Sequence, residues 1–137
     1  MLKGFEKQTH ALNEYEMNTL LPLMVSGFKT KVGKSNAVTN KHICSSLAEQ
    51  GYDVNEPRVR KIVSFIRMNH LVPLLIATSK GYWVSTDAQE IKDWVETMNG
   101  RIDALQASRD AVISELKLME DSKSIRPQGI QVVIPNN

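Results

Sequence analysis

Apolar residues recur along the chain at spacings that predict four helices and one hairpin. Tyr15, Leu20, Leu23, Met24 and Phe28 form a stripe on a first helical segment beginning after Asn13. Asparagine is a good helix cap, and Glu14 and Glu16 fall in the first turn, where carboxylates suit the positive end of the helix dipole. Pro22 lies inside this segment; an interior proline costs about 3 kcal/mol, so a kink or a break is expected there. The segment ends near Lys29 to Gly33. Ala37-Val38-Thr39 is a short extended candidate. Thr39 or Asn40 then caps a second helix reaching about Gln50, with Ile43, Cys44, Leu47 and Ala48 as its apolar positions. Gly51 follows, able to take the left-handed conformation that ends helices. Asn55 and Pro57 open a third helix running to about Asn69. Val59, Ile62, Val63 and Ile66 give it a buried stripe at i, i+3, i+4 and i+7.

After His70 the period changes. Leu71 to Ala77 is strand-like, with Pro73 near its beginning. Thr78-Ser79-Lys80-Gly81 supplies turn chemistry, and Tyr82-Trp83-Val84 is rich in strand formers, so the region reads as a β-hairpin. Ser85, Thr86 or Asp87 then caps a fourth helix. Its apolar residues Ile91, Val95, Met98, Ile102, Leu105, Val112, Leu116 and Met119 follow alternating steps of four and three, with Arg109 in the skipped position. That is a coiled-coil seam over about four heptads. From Asp87 to Glu120 such a helix extends about 50 Å. Residues 122–137 form a flexible tail in which Ile130–Ile134 could make a strand. The expected organisation is a flexible segment over 1–12, a helical domain with its hairpin over 13–85, a dimerisation helix over 86–121, and the tail.

Composition changes this picture little. A chain of 137 residues with 42% apolar and 23% charged positions folds as about one domain with one small core. The single cysteine, Cys44, excludes an intramolecular disulfide and points to a reducing compartment. The longest apolar runs, Leu20–Val25 and Leu71–Ala77, fall far short of the roughly 20 residues that span a bilayer. The first residues lack the apolar stretch of a signal peptide. A cytoplasmic protein without a membrane partner is expected.

Charge is more informative when divided along the chain. Met1 to Lys80 carries 11 Lys/Arg and 6 Asp/Glu, whereas Gly81 to Asp121 carries 4 and 9. The basic excess lies between Lys29 and Lys80, with 9 basic against 3 acidic residues. A basic front half joined to an acidic back half suggests a division of labour.

Catalytic and metal chemistry find no footing. His10, His42 and His70 stand in no HxH, HExxH or HxxxH arrangement, and Cys44 does not share a helix face with His42. Gly33-Lys34-Ser35 resembles the end of a phosphate-binding loop, but Phe28 stands where its first glycine belongs. The acidic residues cluster on the fourth helix, where coiled-coil flanks explain them. A protein that is not an enzyme is expected, with no catalytic residues, metal, cofactor or small-molecule substrate.

The order of helix, short strand, helix, turn, helix, hairpin and long helix resembles the winged helix-turn-helix class, covering about Asn13 to Val84. Thr39 to Gln50 would be the positioning helix and Asn55 to Asn69 the recognition helix. LVPLLIATSKGYWV, residues 71–84, would be the wing, with Lys80-Gly81 near its tip. The ATSKGYWV stretch and the C-terminal heptads further resemble small proteins of phages and other mobile elements. The expected fold is therefore mainly α with a small hairpin.

The resemblance implies binding of double-stranded DNA in a bacterial host's cytoplasm, with a role in regulating transcription or replication. The third helix would enter the major groove, and the wing would touch the backbone. The residues agree physically. Arg60, Lys61, Ser64 and Arg67 share one helical face by their spacing, opposite the apolar stripe. Arg58 sits near the helix N-terminus, which itself favours phosphate. Lys80 would reach the backbone or minor groove, and Lys29, Lys31, Lys34 and Lys41 are candidate phosphate contacts. The competing reading makes these residues ordinary solvated surface and the chain a protein-interaction adaptor or a structural phage protein, working through its coiled coil without DNA. Tyr82 and Trp83 could stack on bases, although strand aromatics more often fill a core. The heptads predict a homodimer; a helix folded back on its own domain through Ile91, Trp94, Val95 and Met98 is the alternative. Parallel and antiparallel pairing are both open.

Overall fold

The helical start is fixed by two reciprocal hydrogen bonds. The Asn13 side chain accepts from the Glu16 N–H at 2.8 Å, and the Glu16 carboxylate accepts from the Asn13 N–H at 2.9 Å. This capping box satisfies two donors that the helix cannot. The computed structural model describes residues 11–125, so the strand expected at Ile130–Ile134 and nearly all of the N-terminal segment lie outside the described residues.

A π-helical stretch, Glu16–Leu20, leads directly into α1, Leu21–Lys29. The Leu21 N–H reaches back five residues to the Glu16 carbonyl. Pro22 therefore neither breaks the segment nor stands in a regular α-helical interior. It has no N–H to give, and its ring would press on the carbonyl four residues earlier. The widened turn just before it takes up that conflict, and Pro22 becomes a first-turn residue.

A 3-10 turn, Lys34–Asn36, leads to α2, Asn40–Glu49, capped by the Thr39 hydroxyl, which accepts from the His42 N–H. Gly51 at φ 89° ends α2, with the Tyr52 N–H on the Leu47 carbonyl and the Gly51 N–H on the Ala48 carbonyl. That pairing is the Schellman arrangement. The next helix, α3, spans Glu56–Met68 and is capped by the Asn55 side chain on the Arg58 N–H. It ends in the same way, but with His70 in the left-handed position at φ 54°. The Leu71 N–H meets the Ile66 carbonyl and the His70 N–H meets the Arg67 carbonyl. An L-residue is strained there where glycine is not. Replacing His70 with Gly should therefore raise stability by about 0.5–1 kcal/mol, seen as a higher urea midpoint at unchanged slope.

The hairpin pairs β1, Leu75–Thr78, antiparallel with β2, Gly81–Val84. The strand expected from Leu71 begins four residues later. Leu71 closes the cap of α3, and Leu74, at φ 62°, completes a turn after Pro73. The extended Val38 forms an antiparallel bridge to Tyr82, and Val32 a parallel bridge to Val84, so β2 is paired on both sides. Gly81 sits at the closest point, φ 116°, against the Val38 carbonyl and the Thr39 nitrogen.

Leu20, Val59, Ile62, Val63 and Ile66 are essentially inaccessible, and Met24, Phe28, Leu47, Val72, Leu75 and Tyr82 close around them. Burying each large aliphatic chain contributes roughly 1.5–3 kcal/mol, so the stripe of α3 is the centre of the fold. The predicted stripes of α1 and α2 are less complete. Tyr15 is exposed, its hydroxyl donating to the Asp53 carbonyl, and Ala48 faces solvent.

The last helix, α4, spans Ala88–Ile125 and so continues past Asp121. Asp87 caps it by accepting from the Gln89 N–H. The chain divides into two units at Trp94/Val95. The first holds the three short helices, the hairpin and the opening turns of α4. The second, among the described residues, is the remainder of α4, where Val95, Ile102, Leu105, Val112, Leu116 and Met119 are exposed. The architecture is mainly α with a two-stranded antiparallel hairpin and a long C-terminal helix, compatible with a winged helix-turn-helix. No helix among the described residues is long and apolar enough to cross a membrane.

Candidate nucleic-acid interface

The face of α3 opposite its buried stripe is polar and open. Arg60 and Ser64 are exposed and Lys61 half-buried, and these three line one shallow hollow with Pro57, Phe65, Met68 and Asn69. The arrangement follows from the helix itself. Val59, Ile62, Val63 and Ile66 are claimed by the core, which turns positions 60, 61 and 64 outward. Chemically the hollow offers a guanidinium, an ammonium and a hydroxyl along one helical face, the donors that engage phosphates and purine edges.

Arg67 does not join them. By angle alone it belongs to the same face, but two turns further along the helix its side chain meets the hairpin. Its Nε donates to the Leu75 carbonyl at 2.9 Å. Its guanidinium lies 6.0 Å from the centre of the Tyr82 ring and 5.1 Å from that of Trp94. Nη2 is buried without a hydrogen bond among the described residues. Burial pulls the Arg67 pKa below the usual arginine value, with the neighbouring Tyr82 acting in the opposite sense. The side chain ties α3, the hairpin and the first turns of α4 together.

Arg58 is also engaged within the fold. Its Nε and Nη2 both donate to the carboxylate of Glu16, which is only 2% exposed. The hydrogen bond from Arg58 holds the Glu16 carboxyl below the ordinary value of 4.5 against the opposing effect of burial. The same bond raises the Arg58 pKa. This pair joins the first helical segment to α3. The first turn of α3 therefore carries Glu56, a satisfied Asn55 cap and a nearby buried carboxylate. Its middle turns, with Arg60 and Lys61, are the more favourable place for an anion.

Lys80 is exposed at the hairpin turn, where its N–H meets the Thr78 hydroxyl at 3.2 Å. Lys41 is exposed in the first turn of α2. The hairpin and that turn are locked together by the Gly81 contact with Val38 and Thr39, and by the Tyr82 hydroxyl, which donates to the Asn40 side chain at 2.6 Å. Lys29 and Lys34 are exposed and Lys31 half-buried; the Lys34 ammonium lies 6.0 Å from the centre of the Trp83 ring.

Tyr82 and Trp83 are buried rather than presented for stacking on bases. Tyr82 packs edge-on to Phe28 with ring centres 5.7 Å apart, and the Trp83 indole N–H donates to Glu90 at 3.2 Å. Burial raises the Tyr82 pKa, partly offset by the Asn40 hydrogen bond. Cys44 is half-buried beside the core, and burial raises its thiol pKa.

Sequence reasoning missed Glu16 and Asn40 as partners of Arg58 and Tyr82, and named Trp94 only for a helix folded back on its own domain, not as the ring beside Arg67. The spacing of Asn13 and Glu16 was a usable signal for the capping box, but nothing local tied Glu16 to a residue 42 positions away. Comparison with protein-family models, curated proteins and solved structures finds no match to this chain.

Proposed function

We propose that this chain is a non-enzymatic, winged-helix DNA-binding protein that acts as a homodimeric regulator of transcription or replication. α3 enters the major groove through Arg60, Lys61 and Ser64, with Lys80 on the hairpin and Lys41 on α2 contacting phosphates. The observation that carries the reading is the polarity of α3. One face is wholly buried, and the opposite face offers Arg60, Lys61 and Ser64 in one open hollow. The basic excess between Lys29 and Lys80 supports it. Arg58 and Arg67 have structural roles in this reading, as their contacts with Glu16, Tyr82 and Trp94 support. The homodimer reading rests on the exposed apolar residues of α4.

Fluorescence anisotropy of a labelled random duplex, titrated at roughly 50 and 200 mM salt, tests the proposal. Binding should weaken steeply with salt, with a log–log slope of about −0.9 per phosphate neutralised. The double variant Arg60→Ala/Lys61→Ala should lose affinity, with an unchanged circular dichroism spectrum. No binding at the lower salt, or an unaltered affinity in the double variant, would overturn the assignment of this face. A protein partner held by α4 would then be the reading to pursue.

A further inference from the structure

From Val95 to Ile125 the second unit is a bare helix whose apolar seam faces solvent. Val95 and Ile102 are each 45% exposed, Leu105 72%, Val112 62%, Leu116 51% and Met119 53%. Arg109 stands in the same seam, and its guanidinium already reaches sideways to Asp110 at 3.0 and 3.1 Å. Its aliphatic stem is thus left along the seam while its charge sits at the rim.

Two copies can cover this seam in two ways, and the charges distinguish them. In a parallel, in-register pair each seam residue meets its own equivalent. Arg109 then opposes Arg109, and Glu115 flanks Glu120 of the second copy. The Glu115–Glu120 contact sets like charges together, and the two Arg109 stems face each other instead of an apolar side chain. In an antiparallel pair centred on Ala107, Val95 meets Met119, Met98 meets Leu116 and Ile102 meets Val112. Arg109 then lies over Leu105, where its stem covers an apolar side chain. Arg101 flanks Glu115 of the second copy, and symmetry makes that attractive contact twice.

We infer that α4 pairs with a second copy of itself in antiparallel orientation, centred on Ala107. This rests on the homodimer reading above and adds its orientation and register. The antiparallel register covers every seam position from Val95 to Met119, packs the Arg109 stem on Leu105 instead of on a second arginine, and pairs opposite charges at the flank.

The test uses the full chain with Cys44→Ala, so that one introduced cysteine reports at a time. Antiparallel pairing brings Ser108 beside its own equivalent and holds the two Leu116 positions far apart; parallel pairing does the reverse. Sedimentation equilibrium at micromolar concentration should show a dimer. Mild oxidation should cross-link Ser108→Cys and not Leu116→Cys. In the cysteine-free background, Arg101→Glu should weaken the dimer on the order of tenfold, and Arg101→Glu/Glu115→Arg should restore it. Cross-linking through Leu116→Cys, alone or together with Ser108→Cys, overturns the antiparallel assignment and leaves the homodimer standing. A dimer that neither cysteine cross-links overturns the pairing through this seam. A monomer overturns both the orientation and the homodimer, while the DNA reading is judged separately by anisotropy.

Discussion

Replacing Gly81 with alanine is expected to cost at least about 3 kcal/mol and to lower the thermal midpoint by roughly 12–24 °C. Two independent penalties add. At φ 116° an L-residue is strained whatever space surrounds it. A Cβ there would also land on the Val38 carbonyl and crowd the Thr39 nitrogen at 2.9 Å. Both of these are backbone atoms, and they cannot move aside cheaply. The Val38 carbonyl accepts from the Tyr82 N–H and the Val38 N–H donates to the Tyr82 carbonyl, so yielding would also break the bridge that joins the hairpin to the start of α2. Gly100→Ala is the matched control. No heavy atom lies within 4 Å of a Cβ built there, and the position is inside α4, so this change should stabilise by up to about 1 kcal/mol. Thermal melts followed by circular dichroism check both. Equal melting of Gly81→Ala and the parent would refute the close approach.

Removing Arg58 should be nearly as damaging, and its signature is a dependence on pH. Arg58→Ala leaves Glu16 buried without its cation, a loss of about 3 kcal/mol at neutral pH. In the parent, Arg58 holds the Glu16 pKa below the ordinary 4.5. The contribution of Glu16 is therefore complete above that value and fades as pH falls through the depressed folded pKa. In Arg58→Ala the larger lowering hydrogen bond is gone, and burial outweighs the one that remains from the Asn13 N–H, so acid should favour folding through this group. Urea midpoints measured from about pH 7 to about pH 3 should converge for the two proteins. The apolar pair Glu16→Leu/Arg58→Met should recover most of the loss, because neither charge is then stranded. A constant gap between parent and Arg58→Ala across this range would show that the pair does not govern stability.

These two residues also mark where sequence reading succeeds and where it stops. The caps at Thr39 and Asn55, the stripe Val59/Ile62/Val63/Ile66 and the hairpin followed by a long helix were legible because each is local. A cap acts within three residues, a stripe within two turns, and a hairpin across one short loop. The partner of Arg58 was not legible, because it stands 42 positions earlier and only the packed fold brings the two together. Arg67 was misread for a related reason. Its angle on the helix was right, but angle says nothing about which neighbour stands at that height along the axis. The early part of Leu71 to Ala77 is apolar enough for a strand, yet Leu71 is drawn into the cap of α3 before a strand can start. At the candidate interface, Arg60, Lys61 and Ser64 were readable as a group because the core alone decides which way they point.

The two aromatic contacts of Arg67 bear on how this sequence can drift. A lysine at position 67 would keep the charge but lose the planar group that stacks on aromatic rings and the rigid fork that reaches the Leu75 carbonyl. Loss of the ring at Trp94 or Tyr82 would remove one of those contacts and leave a half-buried cation with less to hold it. Substitutions at 67, 82 and 94 are therefore tied to one another. Diverged copies of this chain should change at these positions together, whereas Arg60, Lys61 and Ser64 are free to vary singly with whatever they contact.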